Sequence, residues 1–497
     1  MERAHAARQG AVEQGAQRYR RHRPERTVLY RTIERHYPAF VAHLADNGKQ
    51  LPVHVQRAFE NYLQCGRLEH GFLRLRCEEC HAEHLLPFSC KRRGFCPSCG
   101  ARRMAESAAL LVDAVLPHRP IRQWVLSFPY PLRFLFVTHP AVLGQVLGIV
   151  YRVIATHLVR QAGQTHRTAR TGAVTLIQRF GSALNLNIHF HMLFLDGVYV
   201  EGRPGAPPRF QWVREPTFPQ LTRLAHTIAV RVGRCLQRHG LLEAEHDDLI
   251  DAAWEDDPMP SLLGHAITYR IAVGPHQGRK VRMLQTLPAD DFAVPGADGP
   301  GRVAGFSLHA GVAAKADRRD KLERLCRYVS RPAVSEERLS QLPNGHLRYR
   351  LKTPYRNGTT HVIFEPLDFI ARLAALVPPP RVNLTRYHGV FAPNSRDRGR
   401  ITPARRGKGA PPPPPAEQTP ERTPAERRAA MSWAQRLKRV FKLDVETCPG
   451  CGGTVKLIAC IEAPSVIARI LAHLEAQEPG TRGLFPESRA PPAGGVG

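Results

Sequence analysis

A chain of 497 residues is too long for a single hydrophobic core and long enough for two or three domains. Lys and Arg number 71 against 43 Asp and Glu, a formal net charge of +28 that points to a polyanionic partner, with nucleic acid first. No run of about 18 consecutive apolar residues reads as a membrane span, and the basic N-terminus has no apolar stretch of the kind that makes a secretory signal.

In chain order, residues 1–25 read as a disordered basic tail, and YRTIERHYPAFVAHL and VHVQRAFENYL as helices with apolar residues at helical spacing. They lead into a cysteine-rich stretch and form with it a helical, zinc-binding domain over 26–116. Cys77-x-x-Cys80 and Cys96-x-x-Cys99, with residues 81–95 between them, have the spacing of a two-knuckle zinc site, with Cys90 or Cys65 as alternative ligands. Lys91-Arg92-Arg93 beside the knuckles suits a phosphate backbone.

Residues 117–395 mix strands and helices and predict an α+β domain with a central, largely antiparallel sheet flanked by helices. Strands are expected at 123–129, 174–180 and 187–194, with Asp196-Gly197 as a hairpin turn returning into Val198–Val200. Further strands are expected around His309, 347–352 and 359–364, the last two joined at Asn357-Gly358. Helices are expected from Pro140, over 217–239 and over 317–330, and the acidic stretch 243–257 reads as a solvated surface. A Pro/Arg-rich linker, 396–428 with Pro411–Pro415 in a row, precedes a small module over 429–480 and a disordered tail over 481–497. That module carries Cys448-x-x-Cys451, half of a second metal site, with Cys460 as a third thiolate.

The chemistry concentrates in two places. In His189-Phe190-His191 the alternation of a strand turns both imidazoles to one side and Phe190 to the other, which makes a metal edge unless one histidine is simply a hydrogen-bonded core residue. On the helix before Pro332, Arg324, Tyr328 and Arg331 fall at i, i+4 and i+7, on one face. A tyrosine between two arginines suits attack on a phosphate held by the guanidinium groups, although a tyrosine packed at a helix edge has the same pattern.

These segments together resemble the rolling-circle transposases of the insertion sequence 91 family, and most closely their common-region relatives. The matching stretches are QRFGSALNLNIHFHMLFLDGVYV (178–200), LERLCRYVSRP (322–332), YHGVFAPNSR (387–396), FSCKRRGFCPSCGARRM (88–104) and CPGCGG (448–453). The resemblance implies an HUH-type endonuclease fold, named for two histidines around a hydrophobic residue. It implies that His189 and His191 bind a catalytic Mg²⁺ or Mn²⁺, and that Tyr328 attacks single-stranded transposon ends and target DNA to form a 5′-phosphotyrosine. Gln178 is the candidate third ligand and His309 the runner-up. Zn²⁺ is the expected structural ion, no membrane is involved, and the expected place is the bacterial cytoplasm, on the nucleoid. The family's founding members carry a second tyrosine a helical turn away, where this chain has Arg324, so second-strand cleavage would need a second subunit of a homodimer or reversal by the freed 3′ hydroxyl. Two other classes share parts of the pattern. A zinc-dependent DNA-binding protein without catalysis needs none of His189, His191 and Tyr328, and a nuclease using water needs only the histidines.

Overall fold

A computed structural model describes residues 17–18, 23–202, 207–242, 257–287, 300–404, 443–444 and 446–476. Most of the two terminal tails, the acidic stretch and the linker lies outside them; within the expected disordered tail 1–25, Gln17–Arg18 instead pair with Leu443–Asp444 and Pro24 begins a 3-10 turn that ends at Arg26.

Helices α1 (Val28–Asp46) and α2 (Val53–Gln64) open the fold, and the Thr27 side chain caps α1 by accepting from the Tyr30 N–H at 3.1 Å. The hairpin β1 (Phe72–Cys77) and β2 (Glu83–Pro87) leads to α3 (Pro97–Leu110), which widens into a π turn, Leu111–Val115. Next come β3 (Ile121–Ser127), α4 (Tyr130–Thr138), α5 (Pro140–Gln161) and the short β4 (Ala169–Arg170). Strands β5 (Gly172–Phe180), β6 (Leu186–Leu195), β7 (Gly197–Val200) and β8 (Arg209–Trp212) precede α6 (Phe218–Arg238) and α7 (Met259–Thr268). Then follow β9 (Arg282–Gln285), β10 (Gly301–Val303), β11 (Phe306–Ala314) and α8 (Arg319–Val329). The chain continues through β12 (Leu339–Gln341), β13 (Leu347–Arg350), β14 (Thr359–Phe364), α9 (Pro366–Leu376) and β15 (Thr385–Gly389). Last come β16 (Val455–Ile461) and α10 (Pro464–Ala476).

The centre is a six-stranded antiparallel sheet in the order β10-β11-β3-β6-β5-β15. Strand β6 is interior and covered on both faces, which is why LNIHFHMLFL reads as an almost continuous apolar run. Its even positions Ile188, Phe190, Met192 and Phe194 enter a large core built with α1, α4, α5, α6 and α9. Phe190 lies 5.0 Å from Phe128, edge to face, and burying a ring of this size contributes about 1.5–3 kcal/mol. Its odd positions Leu193 and Leu195 enter a second core with Ala108 and Leu111 and with Leu322, Leu325, Cys326 and Val329 of α8. The sheet is therefore a partition, and α8 lies on the face that carries the histidines. The mixed architecture with antiparallel sheets is α+β, as expected.

The large core runs without a break from Leu29 in α1 to Leu376 in α9, so the packing is continuous across the expected boundary at 116. Helix α5 is long and apolar enough to cross a membrane by length and composition, although polar residues interrupt its apolar run. Val146, Val150 and Ile154 on it are fully buried, so its apolar character is that of a core helix.

Three local readings change. Asp196-Gly197 does not turn β6 back on itself, because β7 leaves the large sheet and pairs with β4 and β8. Asp196 instead makes a buried two-pronged ion pair with Arg122, at 2.8 and 2.9 Å, and a Cβ at Gly197 would meet the Gln211 carbonyl at 2.3 Å. Residues 396–404, expected to begin the linker, are folded, with Asp397 paired to Arg170 at 3.2 Å, Arg396 to Glu201 at 2.7 Å and Ile401 in the second core. The late module is not separate, because β16 pairs antiparallel with β1 in a three-stranded sheet, β16-β1-β2. The turn at Asn357-Gly358 forms as read, with Gly358 at φ +79° and the Asn357 side chain accepting from the Thr359 N–H.

Arg122 is also held by the Ala310 carbonyl at 2.9 Å, so this ion pair pins β3, β11 and the end of β6 together. Asp196→Ala leaves a buried guanidinium short of its main partner and should cost about 3–5 kcal/mol, seen as a lowered urea midpoint with an unchanged slope.

Candidate active site and metal centres

In the register of the sheet, His189 lies opposite Ser127 of β3 and Gln178 of β5, and His191 opposite Val125 and Leu176. Directly paired residues share a face, so Gln178 and both histidines stand on the side of α8. The two imidazoles meet with Nε2 atoms 3.2 Å apart. Tyr328, half-buried on α8, sets its ring 5.9 Å from that of His191, nearly perpendicular to it.

Burial, opposed by a bond to the Asn187 carbonyl and reinforced by Arg331 and Arg133, pushes His189 down to about 4. Burial, then His189 and Arg331, push His191 down to about 2. Both rings are thus neutral at ordinary pH and keep a lone pair for a ligand. His189 Nδ1–H donates to the Asn187 carbonyl at 2.9 Å, which leaves its Nε2 as an acceptor. His191 Nδ1 lies 2.7 Å from the Gln123 side-chain amide on β3. Two arrangements satisfy this last contact. If the amide donates, His191 carries its proton on Nε2 and gives it to His189. If Gln123 offers its oxygen, the proton moves to Nδ1 and both Nε2 lone pairs face outward together, the arrangement a chelated cation needs.

Gln178 is buried, donates to the Val329 carbonyl at the end of α8 at 3.5 Å, and has its Oε1 without a hydrogen-bond partner among the described residues. A buried amide oxygen left unmatched beside two neutral imidazoles fits a third ligand for an oxygen-preferring cation. His309 shares the face but lies two strands from His191, across Val125, on the order of 10 Å away.

The arginines divide. Helix α8 ends at Val329, so Arg331 lies beyond it and folds back, its guanidinium 4.4 Å from the Tyr328 ring centroid and bonded to the Tyr328 carbonyl at 3.2 Å. Arg324 is exposed and is held by Asp320 at 2.9 Å. Lys352, which follows β13, also stacks on this ring, its ammonium 4.5 Å from the Tyr328 centroid. Sequence reasoning missed Gln123, Lys352 and Arg133, because each acts across a strand pairing or a long loop that no local pattern announces.

The cysteines regroup. Cys65, Cys90, Cys96 and Cys99 form one four-thiol cluster, and Cys77, Cys80, Cys448 and Cys451 form another, with the sulfurs of each mutually within 4.8 Å. The two early C-x-x-C pairs therefore go to different clusters, and Cys460, exposed and bonded to Glu462, belongs to neither. In the first cluster Cys65 caps α2 while Cys96 and Cys99 sit at the N-terminus of α3, where the helix dipole favours thiolates. Cys65 lies 3.8 Å from Cys96 and 3.6 Å from Cys99, and Cys90 3.3 Å from Cys99, sulfur to sulfur, against about 3.8 Å for a tetrahedral Zn²⁺ with 2.3 Å bonds. Gly100, next to Cys99, packs so closely on Pro332 that a Cβ would meet it at 2.6 Å, so this cluster abuts the segment just after Tyr328.

A four-cysteine module able to hold a metal thus abuts an antiparallel sheet whose polar site faces a tyrosine helix. Residues 172–398 match the family model described as "Putative transposase", and residues 32–128 match the transposase zinc-binding domain of the insertion sequence 91 elements. Both matches are consistent with an insertion sequence 91 family transposase, and a transposase has DNA as its partner. No curated protein and no solved structure matches it.

Gln178→Leu removes an unmatched buried oxygen and one long hydrogen bond, so stability should stay within about 1 kcal/mol of the parent. Mn²⁺ affinity by isothermal titration should nevertheless fall at least about tenfold, and Gln178→Glu should restore it. Equal Mn²⁺ binding by parent and Gln178→Leu would remove Gln178 from the ligand set.

Proposed function

We propose that the protein nicks and joins single-stranded DNA by tyrosine transesterification during rolling-circle transposition. The observation that carries this reading is the meeting of His189 and His191, Nε2 to Nε2 at 3.2 Å, under the ring of Tyr328. A divalent cation held by His189, His191 and Gln178 would polarise the scissile phosphate. The phenol oxygen of Tyr328 bonds to phosphorus as the bond from phosphorus to the 3′ oxygen breaks, and the proton the phenol gives up is, in net terms, taken by that oxygen to leave a 3′ hydroxyl. Arg331 and Lys352, both within 4.5 Å of the ring centroid, place positive charge where the phosphate's negative charge concentrates. Bond energy stays in the phosphotyrosine, in keeping with a sequence that has no phosphate-binding G-x-x-x-x-G-K-[ST] loop.

With Arg324 in the place of a second tyrosine and tied to Asp320, each chain has one nucleophile at this site. Joining then runs by attack of a 3′ hydroxyl on the phosphotyrosine, or uses the tyrosine of a second subunit.

The path of the strand is suggested by the sheet β9-β14-β13-β12. Leu347 and Tyr349 of β13 are buried and Arg348 and Arg350 exposed, and the register sets Arg282 and Arg348 on either side of Ile363, and Arg350 opposite His361. Strand β13 leads directly to Lys352 and the nucleophile. A basic, half-apolar surface of this kind suits a single-stranded backbone.

The deciding experiment incubates the purified protein with labelled single-stranded oligonucleotides carrying the element's ends and Mn²⁺. A protein–DNA adduct on a denaturing gel is expected, lost in Tyr328→Phe and with EDTA. Cleavage that survives Tyr328→Phe without an adduct would assign the nucleophile to water, and tight binding with neither product would leave a DNA-binding protein. Arg348→Ala with Arg350→Ala should weaken oligonucleotide binding and reduce the slope of log K against log salt by about 0.7 for each phosphate that is no longer neutralised. An unchanged slope would move the DNA path elsewhere.

A further inference from the structure

The second cysteine cluster joins parts of the chain that are remote in sequence. Cys77 ends β1 and Cys80 lies in the β1–β2 turn, whereas Cys448 and Cys451 form a knuckle before β16. Cys77 and Cys451 have sulfurs 3.5 Å apart across 374 positions, and Cys80 and Cys448 3.6 Å apart across 368. The transposase zinc-binding match ends at residue 128 and so includes only two of these four thiols. The surroundings are built for the meeting. The Glu78 N–H donates to the Thr454 carbonyl at 2.9 Å, and Val455 pairs with Cys77 in the β16–β1 ladder. A Cβ at Gly453 would meet the Glu79 side chain at 2.7 Å, and the Gly453 N–H donates to the Cys451 sulfur at 3.4 Å. Among the described residues, the apolar cluster that β16 and α10 share with the hairpin is small, with Leu68, Phe72 and Ile467 buried and Leu85, Ile461, Ile470 and Leu471 packed against them.

We infer that Cys77, Cys80, Cys448 and Cys451 bind a second Zn²⁺, and that this ion clasps residues 446–476 onto the β1–β2 hairpin. Four thiols grouped at tetrahedral spacing and free of disulfides have the chemistry of a closed structural zinc site. So small an apolar patch cannot by itself hold a strand and a helix that are tethered through a long proline-rich connection, so the metal supplies the attachment. Cys80 and Cys451 are exposed whereas Cys65, Cys96 and Cys99 are buried, so the clasp ion is the one that a chelator reaches first.

The test uses the full chain loaded with Zn²⁺ and freed of excess metal. Two zinc ions per chain are expected, with only sulfur ligands near 2.3 Å in the X-ray absorption spectrum, and a chromogenic chelator should withdraw one equivalent quickly and one slowly. Cys448→Ser with Cys451→Ser should keep only the slow equivalent. A specific protease site inserted at Pro411–Pro415 then reports the clasp. After cleavage the C-terminal fragment should co-elute with the rest on gel filtration, and should separate once the fast equivalent has been withdrawn. One zinc per chain in the parent, or two in the double variant, overturns the site. A fragment that stays bound after the fast zinc has left overturns the clasp. The parent's zinc count, absorption spectrum and chelation phases do not depend on any variant folding, and neither result bears on transesterification.

Discussion

Burying two imidazoles in the middle of a six-stranded sheet costs free energy unless each ring is neutral and hydrogen-bonded, and much of the architecture follows from meeting that condition. His189 meets it through the Asn187 carbonyl, His191 through Gln123 on the next strand, and the two rings meet each other at Nε2. The interior position of β6 shields both rings from water and holds them neutral, so their lone pairs are available to a cation instead of a proton. The same constraint explains the company they keep. Two cationic groups nearby, Arg331 and Arg133, reinforce neutrality, and the rings bond to a backbone carbonyl and a side-chain amide, neither of which carries charge.

The helix that bears Tyr328 is tied to this face at both ends. At its start, the Arg319 guanidinium reaches back to the carbonyls of Pro117 and Leu116 at 3.0 and 3.1 Å, just after the π turn that follows α3. At its end, Gln178 donates to the Val329 carbonyl, and Pro332 packs on Gly100. Leu322, Leu325, Cys326 and Val329 fill the space between. The zinc-binding region is therefore a support for the tyrosine helix as well as a basic surface. The unbroken core shared by α1, α2 and α9 gives the same relation on the opposite side of the sheet.

The sequence by itself determined whatever depends on neighbours along the chain. An apolar, strand-length run over 186–195 and a period of 3.6 in 319–329 required a strand with both histidines on one face and a helix with the tyrosine at the edge of its apolar stripe, because backbone geometry sets those directions whatever the surroundings. Only the tertiary structure decided which distant groups complete each site. Spacing offered Cys77, Cys80, Cys96 and Cys99 as one set, yet strand pairing between β1 and β16 brings Cys448 and Cys451 to the first pair, and the meeting of the end of α2 with the start of α3 brings Cys65 and Cys90 to the second. Gln123 and Lys352 likewise reach the histidines and the tyrosine through cross-strand register and a returning loop. A C-x-x-C pair or a strand supplies half of a site from local geometry, whereas the other half is chosen by contacts between residues far apart in the chain, which local patterns do not encode.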